Sequence, residues 1–381
     1  MSSFTSNYRN LQSTYPFLPK HGGDIESAVS FFNIKRERWL DLSTGINPNS
    51  WMSQNLYLPD EIFQRLPEKN DELQLAALRH YLTCIEDQQN MMAPPIALSA
   101  SNILPCAGSQ QAIQWLPQLR QQKSVNWQQD KVWVTDGSFS GHRESWENAG
   151  FRVNISPCQQ IERVLVTQKV DVLVVINPDN PTGYQWDIAK LLSWAKILSR
   201  RGGWLIVDEA FAHELQSSVC SQLEENIEHL SGIFVLKSVG KFFGLAGIRS
   251  GFVISSEKNI KALSNLQGDW ALGHVAQYIT QKAFMDSQWI TSQIQQLSQQ
   301  SQRLNMLISK YFGIKAIGSS LFQTFYSANA YQYFYKLAEK GILVRFLPAT
   351  QFSNTGIRIG LPANEPEWER LELAIKNILS E

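Results

Sequence analysis

Residues 171–208 read DVLVVINPDNPTGYQWDIAKLLSWAKILSRRGGWLIVD, and this stretch decides the fold. It begins and ends with short apolar runs rich in β-branched residues, which are typical of strands buried on both faces. Between the runs, residues 188, 191, 192, 195 and 198 are apolar at helical spacing, and glycines at 202 and 203 end the pattern. A strand, a helix and a second strand in this order predict a parallel sheet covered by helices.

Three further apolar runs extend the predicted sheet: VWVT (132–135), IFVLKS (233–238) and FVIS (252–255). The pattern changes after residue 262. A long helix with one apolar face is predicted over 289–308, although glutamine and serine dominate its other positions. Short strand candidates and a closing helix follow: FQTFYS (322–327), ILVRF (342–346), TGIRIGL (355–361) and the residues after Asn364.

This pattern predicts an α/β protein with two domains. A chain of 381 residues is long enough for both. We expect an N-terminal arm over 1–40, a large domain with a mainly parallel central sheet over 41–262, and a smaller α+β domain over 263–381.

The composition argues against several classes of protein. Lysine plus arginine equal aspartate plus glutamate at 34 each, which argues against binding a nucleic acid or a membrane surface through bulk charge. The four cysteines lie far apart, without histidines at metal-ligand spacing, so we predict no metal site. The sequence has neither a signal-like N-terminus nor an apolar run long enough to span a bilayer, which predicts a soluble, cytoplasmic protein.

Candidate chemical groups follow the carboxyl ends of three predicted strands, where ligands bind in open parallel sheets. Asn177 and Asn180 follow the first strand in NPDNPTG, and the turn is expected to expose both. Asp208 follows the second strand, and Ser238 and Lys241 follow the third. We therefore expect an amide, a carboxylate and an amine at one edge of the sheet.

An anion site is predicted earlier in the chain, in LPCAGSQQAIQWL (104–116). Gly108, Ser109 and Gln110 stand at the start of a predicted helix, where free N–H groups suit a phosphate. Alone, Ser109 would more often be an ordinary helix cap. Ser238 and Arg249, which could bind the same anion, favour the phosphate.

Pyridoxal 5′-phosphate is the cofactor that needs an amine, a carboxylate and a phosphate site together. Lys241 would supply the amine, and its apolar neighbours require something to compensate its charge. Asp208 would pair with the pyridine nitrogen, and Asn180 with the 3-oxygen of the ring. Phe139 in DGSFSGH could stack on the ring, with a plain core aromatic as the alternative.

NPDNPTG, VDEAF and SVGKFFGLAGIRSG together resemble the fold-type I pyridoxal-phosphate enzymes, the aspartate aminotransferase superfamily. The match in order covers roughly residues 40 to 360. The resemblance implies that Lys241 binds the cofactor covalently and that Ser238 and Arg249 bind its phosphate. It also implies a homodimer with active sites at the subunit interface.

A narrower resemblance rests on HGGD (21–24), RWLDLSTGINP (38–48), LPCAGSQQAIQ, RGGWLIVDEAF and GKFFGLAGIRSGF. These segments are similar to the threonine-phosphate decarboxylases of cobalamin biosynthesis. That family converts L-threonine O-3-phosphate into (R)-1-amino-2-propanol O-2-phosphate and carbon dioxide. The resemblance implies a carboxy-lyase acting on a small amino acid phosphate, with these substrate-binding residues: His21, Gly45, Asn180, Arg345 and Arg358.

Alternatives remain for three of these substrate residues. Arg345 and Arg358 lie in short strand-like segments, where aminotransferase relatives place arginines that bind substrate acids. A structural salt bridge is the alternative for either arginine. An isolated histidine such as His21 usually faces solvent and has no binding role. Only the HGG pattern favours a role for His21 in binding the substrate.

Two positions depart from the wider superfamily. Phe211 stands where aminotransferases usually carry a tyrosine that bonds the 3-oxygen of the ring, which favours the decarboxylase group. Leu66 in RLPE replaces a tyrosine that reaches across the dimer to the cofactor phosphate.

Two rival functions follow from the same fold. One is a histidinol-phosphate-type aminotransferase. The other is a non-catalytic cofactor-binding regulator, which usually adds a basic DNA-binding domain for which the first 40 residues are too short. Contact with an amide synthase of the cobalamin pathway is left open.

Overall fold

A computed structural model describes residues 14–52, 56–83, 98–213 and 217–380, with the backbone alone over 225–228. The chain forms two compact units. The larger contains Ser50–Asn180 and Tyr184–Gln295, and the smaller contains the described part of Met1–Asn49 together with Pro181–Gly183 and Gln296–Glu381.

The strands of the described residues are β1 (Leu40–Asp41), β2 (Ile103–Cys106), β3 (Lys131–Thr135), β4 (Arg152–Ser156), β5 (Val172–Ile176), β6 (Trp204–Asp208), β7 (Ile233–Ser238), β8 (Gly251–Ile254), β9 (Ile317–Ser319), β10 (Phe322–Tyr326), β11 (Ile342–Leu343), β12 (Arg345–Leu347) and β13 (Gly356–Gly360). The α-helices are α1 (Ile25–Phe32), α2 (Glu61–Gln64), α3 (Asp71–Leu82), α4 (Ser109–Lys123), α5 (Ser140–Asn148), α6 (Ile161–Thr167), α7 (Ile188–Arg200), α8 (Val239–Phe242), α9 (Glu257–Gln267), α10 (His274–Phe284), α11 (Ser287–Phe312), α12 (Ala330–Glu339) and α13 (Glu365–Ser380). Short 3-10 helices cover Arg36–Arg38, Ala100–Asn102, Trp127–Gln129, Cys158–Gln160, Val219–Gln222, Glu224–Gly232 and Ala246–Ile248. Among these residues, no helix combines the length and apolar character that a membrane span requires, and the cytoplasmic location stays a prediction.

The larger unit is built on a seven-stranded sheet in the order β2-β8-β7-β6-β5-β3-β4. The pairs from β4 to β7 are parallel, whereas β8 is antiparallel to both neighbours. The predicted, mainly parallel sheet is therefore confirmed. β8 reverses because its connection from β7 contains a four-residue helix and a 3-10 turn instead of a full crossover helix.

The quoted stretch folds as predicted into β5, α7 and β6. The Asp187 side chain caps α7 by accepting the N–H of Lys190 at 2.9 Å. The inward face of α7 is buried, including Leu191 and Leu198, and each such leucine contributes about 1.5–3 kcal/mol through burial. This packing holds the carboxyl ends of β5 and β6 side by side.

The smaller unit contains a four-stranded antiparallel sheet in the order β12-β13-β10-β9, and β1 pairs in parallel with β11. The predicted strand segments near 322, 342 and 355 are confirmed, as are the long helix, α11, and the closing helix, α13. In the β12–β13 pair, Arg345 and Arg358 are directly opposite each other.

The division into units differs from the predicted domain boundaries. Residues 263–295 belong to the larger unit, where Phe284 of α10 packs on Tyr81 of α3 with ring centres 5.4 Å apart. The described N-terminal residues belong to the smaller unit, where Phe17 stacks on Phe334 at 5.8 Å. The change from strand to helix patterns after residue 262 does not indicate which core the next helices join, because an amphipathic pattern specifies an apolar face and not its partner.

Candidate active site

Lys241 lies in α8, directly after β7. Its Nζ atom is 5.3 Å from the centre of the Phe211 ring, a distance at which the ring face attracts a cation. Phe242 and Phe243 are buried against each other with ring centres 5.0 Å apart, and Phe243 stacks on Trp289 at 5.5 Å. The two phenylalanines after the lysine therefore form an aromatic support for α8.

Asp208 ends β6 with its carboxylate buried. Its Oδ2 atom lies 2.9 Å from Nε2 of His142, and its Oδ1 accepts the N–H of Ala210 at 3.0 Å. Asp208 is 4% exposed and His142 2%. Hydrogen bonds to a carboxylate in a buried place are strong, so His142 fixes the orientation of Asp208.

His142 was not predicted as a site residue. A signal for it exists in DGSFSGH, because residues three apart on a helix lie on one face. The rings of Phe139 and His142 have their centres 6.4 Å apart at 88°. Nδ1 of His142 has no hydrogen-bond partner among the described residues.

The start of α4 lies against Arg249. Gly108 has φ +77°, and a Cβ atom there would lie 2.5 Å from Nη2 of Arg249, so a side chain would displace the guanidinium. Nη1 of Arg249 donates to the carbonyl of Ala246 at 3.2 Å. The N–H groups of Ser109 and Gln110 have no partner within the helix, whereas that of Gln111 donates to the carbonyl of Gly108 at 3.1 Å. A guanidinium and a helix N-terminus together attract an anion.

Ser238 reaches the same region through strand pairing. It is the register partner of Gly251 across β7 and β8, and a Cβ on Gly251 would lie 2.7 Å from the amide nitrogen of Ser109. Gln110 lies beside Phe139, since a Cβ on Gly141 would contact the ring of Phe139 at 2.4 Å and Oε1 of Gln110 at 3.2 Å.

The expectation that NPDNPTG exposes Asn177 is wrong. Asn177 is buried, its Oδ1 accepts the N–H of Trp186 at 3.1 Å, and its Nδ2 donates to the carbonyl of Ser217 at 2.8 Å. Asp179 is also buried and accepts a hydrogen bond from the hydroxyl of Ser138. These bonds shape the turn that ends at the half-buried Asn180.

The smaller unit contains the two predicted arginines. Arg358 is buried, with its guanidinium 5.1 Å from the centre of the Phe322 ring, and it donates to the carbonyl of Ser43. Burial, followed by the charge of Arg345, lowers the pKa of Arg358 to about 9. Nη1 of Arg345 donates to the carbonyl of Pro19 at 2.7 Å. Because carbonyl acceptors are neutral, these bonds do not cancel the charge of either arginine.

His21 and Gly45 also lie in the smaller unit. His21 is exposed and lines a small pocket together with Ser43 and Arg345. A Cβ on Gly22 would lie 2.2 Å from the Ser43 carbonyl oxygen, which explains a glycine after His21. Gly45 is buried with φ +61°. Across the described ranges, no cluster of histidine, cysteine, aspartate and glutamate suits a metal ion.

The predicted site residues therefore fall into two groups. The larger unit contains Gly108, Ser109, Gln110, Phe139, Asn180, Asp208, Phe211, Ser238, Lys241 and Arg249, and the smaller contains His21, Gly45, Arg345 and Arg358. The catalytic and binding roles of both groups stay predictions.

A buried aspartate and a lysine at neighbouring strand ends, with an anion-attracting helix start, define the fold-type I class of pyridoxal-phosphate enzymes. The chain belongs to the class I and II aminotransferase family, whose model matches residues 38–375. The threonine-phosphate decarboxylase of Pseudomonas aeruginosa is 36% identical over 358 residues, covering 93% of this chain and 97% of that protein. A second threonine-phosphate decarboxylase, from a Sinorhizobium species, is 34% identical over 271 residues, 70% of this chain and 71% of that protein.

Solved structures agree on the fold. The histidinol-phosphate aminotransferase of Sinorhizobium meliloti in complex with pyridoxal-5′-phosphate matches with a TM-score of 0.73 and 16% identity, covering 100% of this chain and 98% of that chain. The L-threonine-O-3-phosphate decarboxylase of Porphyromonas gingivalis matches with a TM-score of 0.65 and 15% identity, covering 89% and 99%.

The larger unit fits pyridoxal 5′-phosphate by its own geometry. The space beside Gly108 would be filled by a single Cβ atom, and it is bordered by the guanidinium of Arg249. The carboxylate of Asp208 is held by a buried imidazole. This cofactor needs three features in its site: donors that bind its phosphate, a carboxylate for its pyridinium nitrogen, and an amine.

Proposed function

We propose that the protein is a decarboxylase of L-threonine O-3-phosphate, forming (R)-1-amino-2-propanol O-2-phosphate and carbon dioxide for cobalamin biosynthesis. The observation that carries this proposal is the 36% identity to the Pseudomonas aeruginosa threonine-phosphate decarboxylase across 97% of its length. The cofactor is pyridoxal 5′-phosphate.

The larger unit would hold this cofactor. Lys241 would bind it covalently, Asp208 would pair with its ring nitrogen, and Phe139 would stack on the ring. The remaining ligands would bind its phosphate or border the 3-oxygen: Gly108, Ser109, Gln110, Asn180, Phe211, Ser238 and Arg249. When bound, the cofactor supplies an electron sink for the electron pair that remains when a bond at Cα breaks.

His142 would hold the Asp208 carboxylate in place for the ring nitrogen of the cofactor. Its Nε2 atom lies 2.9 Å from Oδ2 of Asp208, and both side chains are buried. His142 thus acts through Asp208 and is a positioning residue.

The smaller unit would supply cations for the substrate, which carries both a carboxylate and a phosphate. Arg358 would present a planar donor fork that matches either acid group. Arg345, whose two Nη atoms donate to the carbonyls of Pro19 and Lys20, would add its positive charge. His21 would add a donor for the phosphate. Binding of the phosphate would orient the carboxylate so that the Cα–carboxylate bond breaks. Nζ of Lys241, or water, would then return a proton to Cα.

We also infer that the protein is a homodimer. Exposed apolar side chains on the larger unit support this inference: Phe63 is 61% exposed, Leu66 62% and Trp270 61%. The chain just after Leu66 is tied to the start of α10, since the N–H of Glu68 donates to Nε2 of His274 at 3.0 Å, and Trp270 precedes that helix with φ +60°. Sedimentation of the purified protein at the mass of a single chain would contradict the inference.

The decisive experiment is a product assay with purified protein and pyridoxal 5′-phosphate. Release of carbon dioxide from L-threonine O-3-phosphate, with no keto acid, is the expected result. O-Phospho-L-serine is included because an L-serine phosphate decarboxylase of Sulfurospirillum multivorans is 27% identical over 71% of that protein. Amino transfer that requires 2-oxoglutarate would instead identify the aminotransferase alternative. Cofactor binding without turnover would identify the regulator.

A further inference from the structure

A second buried charged pair, Lys237 with Glu209, lies beside the candidate active site and is not used in the proposed function. Nζ of Lys237 is 2.6 Å from Oε2 of Glu209, and the two residues are 2% and 1% exposed. Apolar residues of similar volume in place of such a pair are often neutral or stabilising. Stability alone therefore does not explain the pair.

The hydrogen bonds of the pair are fully satisfied. Nζ of Lys237 also donates to the hydroxyl of Ser218 at 2.9 Å and to the carbonyl of Ala212 at 3.4 Å. The carboxylate of Glu209 accepts the Ser218 hydroxyl and the N–H of Val219, the latter at 2.7 Å. All three ammonium donors thus have acceptors, which makes a rigid network in a buried place.

The network is adjacent in the chain to the site residues. Glu209 follows Asp208, and Lys237 precedes Ser238. Because successive side chains of a strand point to opposite faces, the ion pair joins β6 and β7 on one face while Asp208 and Ser238 face the other. The bond to the carbonyl of Ala212 restrains the turn that carries Phe211.

The turn in question determines what Lys241 contacts. The Phe211 ring is 5.3 Å from Nζ of Lys241. One residue past Ala212, the ring of His213 stacks on Phe242 at 4.6 Å. A shift of the turn would therefore move both aromatic surfaces around α8.

We propose that Lys237 and Glu209 are positioning residues, whose ion pair fixes the ends of β6 and β7 and so sets Asp208 and Phe211 relative to Lys241. This inference rests on the proposed function only in that these three residues hold the cofactor. It is independent of which bond at Cα breaks.

The test is the double variant Lys237→Met/Glu209→Gln. Methionine fills the volume of the lysine, and glutamine can still accept from Val219 and donate to Ser218, while the bond to Ala212 is lost. The matched control is Arg120→Met/Asp130→Asn. That pair is also buried, with a 2.6 Å separation, and lies at the amino ends of the strands of the same sheet, where Arg120 donates to the carbonyl of Gly202 at 2.7 Å.

Five properties are measured for each variant: the urea midpoint of the cofactor-free protein, the dissociation constant of pyridoxal 5′-phosphate by absorbance titration, the visible absorption band of the bound cofactor, kcat and KM. For the test variant we expect a urea midpoint at or above that of the wild type. We also expect cofactor affinity and kcat to fall about tenfold or more, because sub-ångström displacement of site groups has effects of this size. The visible absorption band of the bound cofactor should shift or broaden, whereas the control should change affinity and kcat less than about twofold.

Wild-type cofactor affinity and kcat in the test variant would overturn the proposal, as would equal losses in the control. If the double variant does not fold, the single variant Glu209→Asp tests the proposal instead. This variant keeps the negative charge and moves the carboxylate away from Lys237 by the length of one methylene group. Weaker cofactor binding in a folded Glu209→Asp protein supports the proposal, and unchanged binding overturns it. If the wild-type protein does not decarboxylate threonine phosphate, the proposed function fails, but the absorbance titration still measures cofactor binding. Failure of the proposed function is therefore distinguishable from failure of the positioning role of Lys237 and Glu209.

Discussion

Replacement of His142 by phenylalanine tests the assignment of Asp208 most directly. The substitution keeps a ring of similar size in a site where the histidine is 2% exposed, and it removes the 2.9 Å hydrogen bond to the Asp208 carboxylate. A hydrogen bond to a charged group contributes about 1.5–3 kcal/mol. If that loss falls on the cofactor-bound state, the affinity for pyridoxal 5′-phosphate decreases about 10- to 150-fold.

The assay is an absorbance titration of the cofactor-free protein with pyridoxal 5′-phosphate, followed by measurement of kcat. His229→Phe is the matched control, because it makes the same replacement in the larger unit, in the 3-10 segment Glu224–Gly232 that precedes the amino end of β7. We expect His229→Phe to bind the cofactor within about twofold of the wild type, since distant sites are usually independent. A His142→Phe protein with wild-type cofactor affinity and kcat would refute the role given to the Asp208–His142 pair.

Four further results are expected. Lys241→Ala should abolish turnover and prevent borohydride from fixing the cofactor to the protein, with an unchanged circular dichroism spectrum; residual wild-type activity would remove Lys241 from its role. Gly108 has φ +77°, and Gly108→Ala would place a Cβ 2.5 Å from Nη2 of Arg249. This substitution should destabilise the protein by about 1 kcal/mol and weaken cofactor binding measurably. An unchanged cofactor titration would contradict the phosphate site. Arg358→Lys should raise KM about tenfold or more, because lysine lacks the planar fork, while the cofactor titration stays unchanged; an unaltered KM would count against a substrate role. Burial lowers the pKa of His80 to about 3 and that of His213 to about 4, below the usual value of about 6.5, so the unfolded chain binds more protons in acid. The stability from these two groups is complete above about pH 6.5 and decreases as pH falls toward the folded values. Because both rings keep some exposed surface, we expect a loss of about 2 kcal/mol between pH 7 and pH 5, and equal urea midpoints at the two pH values would contradict it.

The parts of the fold that the sequence predicted are those whose pattern is dictated locally. β5 and β6 are apolar throughout, and α7 has a cap, an apolar face and terminal glycines. β4 escaped prediction because RVNIS at the sheet edge mixes polar and apolar residues, and β2 because ILPC contains a proline. β8 is antiparallel because its connection from β7 lacks a full crossover helix. The unit that α10 joins depends on contacts distant in the chain, which no local pattern reveals.

The candidate site divides in the same way. Lys241 and Asp208 were predictable because each follows the carboxyl end of a predicted strand, where ligands bind in open parallel sheets. The apolar neighbours of Lys241 were a second signal. His142 was not predicted. Its spacing from Phe139 is the one signal, and a histidine in a helix usually has no role, while its contact with Asp208 spans 66 positions. Asn177 was misjudged because its amide satisfies the backbone around Trp186 and Ser217 instead of a ligand. Sequence motifs therefore identify groups that chemistry requires, and the side chains that orient them become visible only in three dimensions.

The pairing of β1 with β11 joins Leu40 to Ile342, about 300 positions apart. A ribosome that adds roughly 5–20 residues per second needs about 15–60 s to make the intervening chain. During that interval the aromatic cluster before β1, in which Phe17 packs on Phe31 and Phe32 of α1, lacks Phe334 of α12, which completes its packing. Nascent chains of this protein should thus depend on chaperones until translation ends, and a fragment lacking the last helices should aggregate rather than fold.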